Sequence, residues 1–259
     1  MTQDRTITSV TTPWTDAGAT PTPPADERVG GTEQASHGEQ LGHVGQLATA
    51  LSAPSAQTRL RAAMAAGSSP HGDLVEVLVE RCGVEPDFFV RDMLTWALTR
   101  HDHRTVVARL LPELGSTVPQ ARSQALHTLS KLRDAGTRAA VLALLHDTDD
   151  EVARAAWRTA VTLVQPGEEA ALAASLAREL GRGDREVRRS LSRALAALGE
   201  DAREAVVHAT EHPDPVVRAH ARATERLLDD PESGFEDDVD EARRTAALLA
   251  APQVPEEHG

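Results

Sequence analysis

One apolar position returns about every thirty residues along this chain, and that return limits the folds open to it. Thr58, Val90, Ala121, Val152, Val187 and Val217 occupy the same place in the segments SAQTRLRAAMAA, DFFVRDMLTWAL, VPQARSQALHTL, DDEVARAAWRTAVTL, DREVRRSLSRALAAL and DPVVRAHARATERLL. Successive anchors lie 32, 31, 31, 35 and 30 residues apart, and the longest step coincides with an extra VQPGEEA stretch between Leu163 and Ala171. Units of this length cannot bury an apolar face alone; they must stack on their neighbours.

The columns around the anchor say what each unit is. Four residues after it stand Ala62, Leu94, Ala125, Ala156, Leu191 and Ala221, and eleven after it Leu132, Leu163, Leu198 and Leu228. Positions i, i+4, i+7 or i+8 and i+11 share one face of an α-helix, so this part of the unit is an amphipathic helix. Seven residues before the anchor come Leu51, Leu114, Leu145 and Leu180, and ten or eleven before it Leu47, Val79, Leu111, Leu142, Leu176 and Val207. These supply a second stripe on a preceding helix. Each unit therefore reads as a helical hairpin, and the chain as an all-α solenoid of about six such layers.

Two polar columns support the same register. Asp87, Asp149, Asp184 and Asp214, with Ser55 in the leading unit, lie three residues before the anchor, where a short acceptor caps the free amides of a helix. Arg59, Arg91, Arg122, Arg188 and Arg218 lie one residue after it. Pairing with the Asp four residues earlier and a ladder between neighbouring repeats are both open for these arginines. Val118 replaces the Asp in one unit and Ala153 the Arg in another, so the pattern is expected to break there.

Composition agrees with closely packed helices. The chain has no Tyr, three Phe and three Trp, so Leu, Val and Ala must fill the core. Its basic residues are 26 Arg and one Lys, a bias expected of a high-GC bacterial genome. The single Cys82 cannot form an intramolecular disulfide, and no apolar run has the length of a membrane span. No secretory signal pattern opens the sequence, so a soluble, cytoplasmic protein is expected.

The solenoid is expected over residues 39–228. Residues 1–38 are rich in Thr, Pro, Gly and acids, with Trp14 isolated among them, and are expected to be disordered. Residues 229–250 keep helical spacing through Phe235, Val239, Ala242, Ala246 and Leu249, and a terminal acidic capping helix is expected there, followed by a loose tail at 251–259. The net charge of −13 divides as −3 over residues 1–38, −8 over 229–259 and −2 over the rest. The middle is close to neutral.

The D-x-x-V-R-x-x-[AL] pattern, with Ala and Leu further along, resembles the short HEAT-like repeats of the phycobilisome-lyase type over residues 40–228. The chain as a whole is similar to uncharacterised actinobacterial HEAT-repeat proteins. The resemblance implies an α-solenoid and says little about activity, because unrelated proteins use the repeat as a scaffold.

A ligand surface would lie on the second helices, where equivalent residues of successive units stand side by side. Positions two and six after the anchor read Asp92 and Trp96, Ser123 and His127, Arg154 and Arg158, then Arg189 and Arg193, with Arg222 and Arg226 nearby in the last unit. Trp96, His127 and the six arginines form a strip suited to carboxylates, phosphates or stacked bases. The competing reading is a row of solvated helix faces in an arginine-rich protein. The expected function is a non-enzymatic scaffold or adaptor, needing no cofactor, whose protein partner brings an acidic segment; the chain's own acidic C-terminal stretch could also occupy the strip. The alternative is a nucleic-acid-binding solenoid resembling alkylpurine DNA glycosylases, against which stands a pI near 5.3.

Other chemistry finds little support. The triplet His101, Asp102, His103 and the pair His208 and His212 lack a third assured metal ligand, so surface histidines are expected. The His-Glu dipeptides of HEAT-repeat di-iron hydroxylases do not occur. Cys82 sits in an apolar stretch, where a packed thiol is expected.

Overall fold

A computed structural model describes residues 42–230. The expected disordered tail 1–38, the acidic helix 229–250 beyond its first two residues, and the tail 251–259 lie outside the described residues.

The described chain runs through six helical hairpins and contains no strand. The first helices are α1 (residues 42–51), α3 (Leu74–Val84), α5 (His103–Glu113), α7 (Arg138–Leu142), α9 (Glu169–Ala177) and α11 (Arg203–Ala209). The second helices are α2 (Ala56–Ser68), α4 (Phe88–Arg100), α6 (Pro119–Leu132), α8 (Asp150–Leu163), α10 (Arg185–Ala196) and α12 (Pro215–Asp229). Short 3₁₀ turns, Ala135–Thr137 and Gly199–Ala202, lead into α7 and α11. Second helices stack in chain order from α2 to α12, and α3 packs on α5 as α9 packs on α11.

The second-helix columns behave as their spacing requires. Ala62, Leu94, Ala125, Ala156, Leu191 and Ala221 are all buried. Asp87, Asp149, Asp184, Asp214 and Ser55 each accept a backbone N–H at the start of their helix, while Val118 makes no such bond and Pro119 begins the helix instead.

The first-helix stripe needs a correction. Leu111 and Val207 are exposed, and Leu142 is only partly buried. The buried residue stands eleven before the anchor in every unit: Leu47, Val79, Leu110, Val141, Leu176 and Val206. Adjacent apolar residues at Leu110–Leu111, Val141–Leu142 and Val206–Val207 fit a helical period equally well on paper. Packing against the second helix selects one of each pair.

The arginine column does a job that neither sequence reading described fully. Arg59 donates to the carbonyls of Ala53 and Pro54, Arg91 to Glu85 and Pro86, Arg122 to Ser116, Arg188 to Gly183, and Arg218 to His212 and Pro213. Each guanidinium thus satisfies the turn inside its own hairpin, where the carbonyls closing the first helix have no helical partner. A ladder between repeats also exists, at two rungs: Arg59 pairs with Glu85 at 2.7 Å and Arg122 with Asp147 at 2.9 Å. Both acids stand five residues before an anchor. Glu85 and Asp147 each accept the N–H of the capping Asp two residues later, a place taken by Ser116 and His212 in other units.

The break at Ala153 is repaired from the next repeat. Arg182 donates to the Asp147 carbonyl at 2.6 Å and to Asp150 at 2.8 Å. Beside it Trp157 is fully buried, its indole N–H donating to the Leu145 carbonyl at 2.8 Å, with the Arg182 guanidinium 5.9 Å from its ring centroid. The last junction uses neutral groups. His220 accepts the Gly181 N–H on Nδ1, and its Nε2 lies 2.9 Å from the Arg188 carbonyl and 3.1 Å from the Ser192 hydroxyl. Ser192 in turn meets Thr224 at 2.8 Å.

Candidate functional site

The second-helix layer places α4, α6 and α8 side by side. Between them lies a groove of about 280 Å³, lined by Phe88, Arg91 and Asp92 from α4, Ser123, Gln124 and His127 from α6, and Glu151, Arg154, Ala155 and Arg158 from α8. A smaller hollow of about 250 Å³ continues it toward Pro119, Gln120 and Asp149. Of the eight residues expected to bind a partner, the groove brings together His127, Arg154 and Arg158.

The other five sit elsewhere. Trp96 faces α2, close enough that a side chain on Gly67 would run into its ring at 2.3 Å, so part of the indole is spent on packing and 40 % of the residue stays exposed. Arg189 and Arg193 lie on α10, where Arg189 stands 3.9 Å from Glu186, and Arg222 and Arg226 are exposed on α12. They extend the strip along the stack without lining this groove.

Charge in the groove is unevenly settled. Arg91 gives its donors to the hairpin turn and stands 6.0 Å from the Phe88 centroid. Arg154 pairs with Glu151 at 2.8 Å, yet its buried Nε has no acceptor. The Arg158 guanidinium makes no ion pair among the described residues. Desolvation in the groove, followed by the like charge of Arg154, pulls the Arg158 pKa below its ordinary value, opposed in part by Glu151. His127 is also held down, first by burial and then by Lys131 and Arg158, while Asp92 opposes them. The groove therefore holds, in Arg158, a cation with like charge beside it and no ion pair of its own, although Asp92 and Glu151 also line the walls.

Two aromatic residues outside the sequence expectation stand here, Phe88 lining the groove and Phe89 beside it. Phe88 is 65 % exposed and Phe89 72 %, with ring centroids 5.7 Å apart in an edge-to-face arrangement, and Val84 at the end of α3 is exposed too. A chain with only three Phe exposes two of them together. The signal was present in the columns. At the two places before the anchor, the other units carry Ala56 and Gln57, Pro119 and Gln120, Asp150 and Glu151, Arg185 and Glu186, and Pro215 and Val216. Large aromatics at positions that elsewhere favour small or polar residues have no packing reason to be there.

The remaining candidates have structural roles. His101 is buried with Nδ1 on the Ala97 carbonyl, Asp102 caps α5 by accepting from Thr105, and His103 pairs with Asp134 at 2.9 Å, so the triplet points three ways. α11 ends at Ala209, which puts His212 beyond the helix that carries His208. Among the described residues no group of three or more His, Cys, Asp or Glu could hold a metal ion, and no helix is long and apolar enough to cross a membrane. Cys82 is buried, and that burial pushes its thiol up to about 12.

Comparison with known proteins bears on the fold. Residues 85–162 match the family of HEAT repeats, a stretch that contains the whole groove. No curated protein matches the sequence. Two crystal structures of engineered proteins are similar: one at 22 % identity and a TM-score of 0.41 over 72 % of this chain and 96 % of that one, the other at 20 % and 0.39 over 76 % and 60 %. The chain thus spans 60 % of the length of the second. The described residues form a HEAT-like helical solenoid, an architecture commonly used as a scaffold for protein interactions and typically without catalytic chemistry.

Proposed function

We propose that this solenoid is a non-enzymatic adaptor whose α4–α6–α8 groove holds an acidic, aromatic-bearing or aliphatic-bearing segment of a protein partner. The observation that carries the reading is the juxtaposition of Arg158, which makes no ion pair among the described residues, with the exposed Phe88 and Phe89 pair. Carboxylates of the partner fit between Arg154 and Arg158, where guanidinium groups offer paired donors to a planar anion. An apolar side chain of the same segment covers the two phenyl rings, which supply the kind of aromatic anchor that dominates binding energy at interfaces. His127 lies between these ends as a largely neutral, partly buried contact. Trp96 and the arginines of α10 and α12 extend the surface for a longer segment.

The nucleic-acid alternative draws on the same arginines. Asp92 and Glu151 in the groove disfavour a continuous run of phosphates more than a segment whose carboxylates alternate with apolar side chains, and the net charge of −13 works against the long-range attraction on which duplex binding depends. A mobility shift on duplex DNA at low salt separates the two readings. The adaptor reading expects no shift at micromolar protein. A shift abolished by Arg154→Glu with Arg158→Glu would displace it.

A further inference from the structure

A second groove, larger and less polar, opens on the other layer. Between α9 and α11 lies a hollow of about 640 Å³ floored by Ala170, Ala174, Ala177 and Ala205. Alanine on both walls lets another helix backbone come close. The two ends differ in charge: Asp201 and Glu204 stand where α11 begins, and Arg178, His208 and His212 where it ends.

We propose that residues 235–249 of this same chain dock in that groove as a helix antiparallel to α11. Three observations point to this occupant. The first is where the described chain ends: Asp229, the last residue of α12, accepts from Arg203 at 2.9 Å, so the chain leaves the solenoid beside the start of α11. The six residue steps from Asp229 to Phe235 reach about 20 Å when extended, against about 10 Å for the seven residues of α11, so the segment can begin at the far end and run back.

The second is shape and charge. Phe235, Val239, Ala242, Ala246 and Leu249 recur at helical spacing, so a helix formed on docking would turn one apolar face to the apolar floor. In the antiparallel direction Glu236 and Asp238 meet Arg178, His208 and His212, while Arg243 and Arg244 meet Asp201 and Glu204. The parallel direction would set acid against acid.

The third is that the open end of the stack does not ask for this segment. Where inner repeats bury Leu98, Leu129 and Leu195, the last unit has Glu225, and where they bury Leu114, Leu145 and Leu180 it has Thr210. At both of these packing positions the last repeat is polar. Docking between α9 and α11 also leaves the α4–α6–α8 groove open to a partner, so the C-terminal segment fastens the last two hairpins instead of blocking the other face.

Disulfide trapping in the full chain tests this directly, because the buried Cys82 thiol stays out of exchange. Ala174→Cys with Ala242→Cys is expected to close an intramolecular disulfide at least about tenfold faster than Arg158→Cys with Ala242→Cys, as the docked segment raises the local thiol concentration. Glu204→Lys should slow the first closure about two- to fivefold, and adding Arg243→Glu and Arg244→Glu should restore it. Faster closure with the position-158 partner would place the segment in the other groove. Disulfide-linked dimers alone would assign the groove to a second copy, and equal slow rates in both variants would leave it without this occupant. Each of these three results overturns the proposal.

Discussion

The first four hairpins and the last two satisfy their turn carbonyls alike, with arginine donors, but grip their neighbours with different chemistry. Every hairpin turn leaves carbonyls at the end of its first helix, and every unit must also grip the next. In the first four, buried or half-buried ion pairs cross the repeats, Arg59 to Glu85 and Arg122 to Asp147. In the last two, a neutral seam of His220, Ser192 and Thr224 crosses instead, beside glycines with positive φ at Gly181 and Gly183. The register of the stack is set by the apolar columns. The polar columns are free to vary as long as each turn finds donors, and it is in that freedom that the surface acquires Phe88, Phe89 and Arg158.

The contrast is broken most severely at Glu85. Its carboxylate is fully buried and receives Arg59, Arg81 and the Asp87 N–H. Burial alone would raise its pKa, but those hydrogen bonds override it and hold the group at about 2. Removing it in Glu85→Ala strands Arg59 and should cost about 3–5 kcal/mol in urea unfolding. A loss below about 1 kcal/mol would mean that the ladder is ornamental. Because the folded value lies under the unfolded carboxyl value of about 4.3, the stabilisation is present above that pH and disappears as pH falls through about 2.

At the neutral seam the expected loss is smaller and its pH dependence lies elsewhere. His220→Leu leaves the Gly181 N–H and the Ser192 hydroxyl without their ring partner and should cost about 1–3 kcal/mol. The His220 pKa is lowered, first by burial, with Arg188 acting both ways, so the folded protein holds the ring neutral. Its contribution is therefore full above the unfolded histidine value of about 6.5 and fades as pH drops below it, at up to about 1.4 kcal/mol per pH unit. Stability curves of the wild type and His220→Leu should converge between pH 7 and 5. Parallel curves would remove His220 from the acid response.

The smallest change in stability is expected at the groove's mouth. Phe88→Ser with Phe89→Ser should shift unfolding by no more than about 0.5 kcal/mol, since both rings are mostly exposed. A larger loss would show that the pair packs for the fold and is not held out for a partner.

Much of this was legible in the residues. The anchor column, the Asp caps and the lengthened step after Leu163 located the second helices, because helical period and capping chemistry are local. The choice between Leu110 and Leu111, or Val206 and Val207, was not local and depended on a neighbouring helix. The arginine column was visible as a pattern, yet its acceptors are carbonyls placed by the hairpin turn, which no spacing reveals. In the groove, Arg154 and Arg158 are alike in sequence; only geometry separates the one paired with Glu151 from the one that makes no ion pair among the described residues. Phe88 and Phe89 stand out in their columns, since the other units carry smaller or polar residues there, but the exposure of both rings is a property of the packed helices and not of the spacing.

The adaptor reading is tested most directly by fluorescence anisotropy of a labelled peptide that alternates Glu or Asp with Phe or Leu. A scrambled-charge peptide with Lys in place of the acids serves as control. The acidic peptide should bind wild type with affinity that falls as salt rises, lose at least about tenfold on Arg154→Glu with Arg158→Glu, and lose a comparable factor on Phe88→Ser with Phe89→Ser. Equal binding of the acidic and basic peptides, or acidic binding that survives both pairs of substitutions, would contradict the claim that this groove is where the solenoid holds its partner.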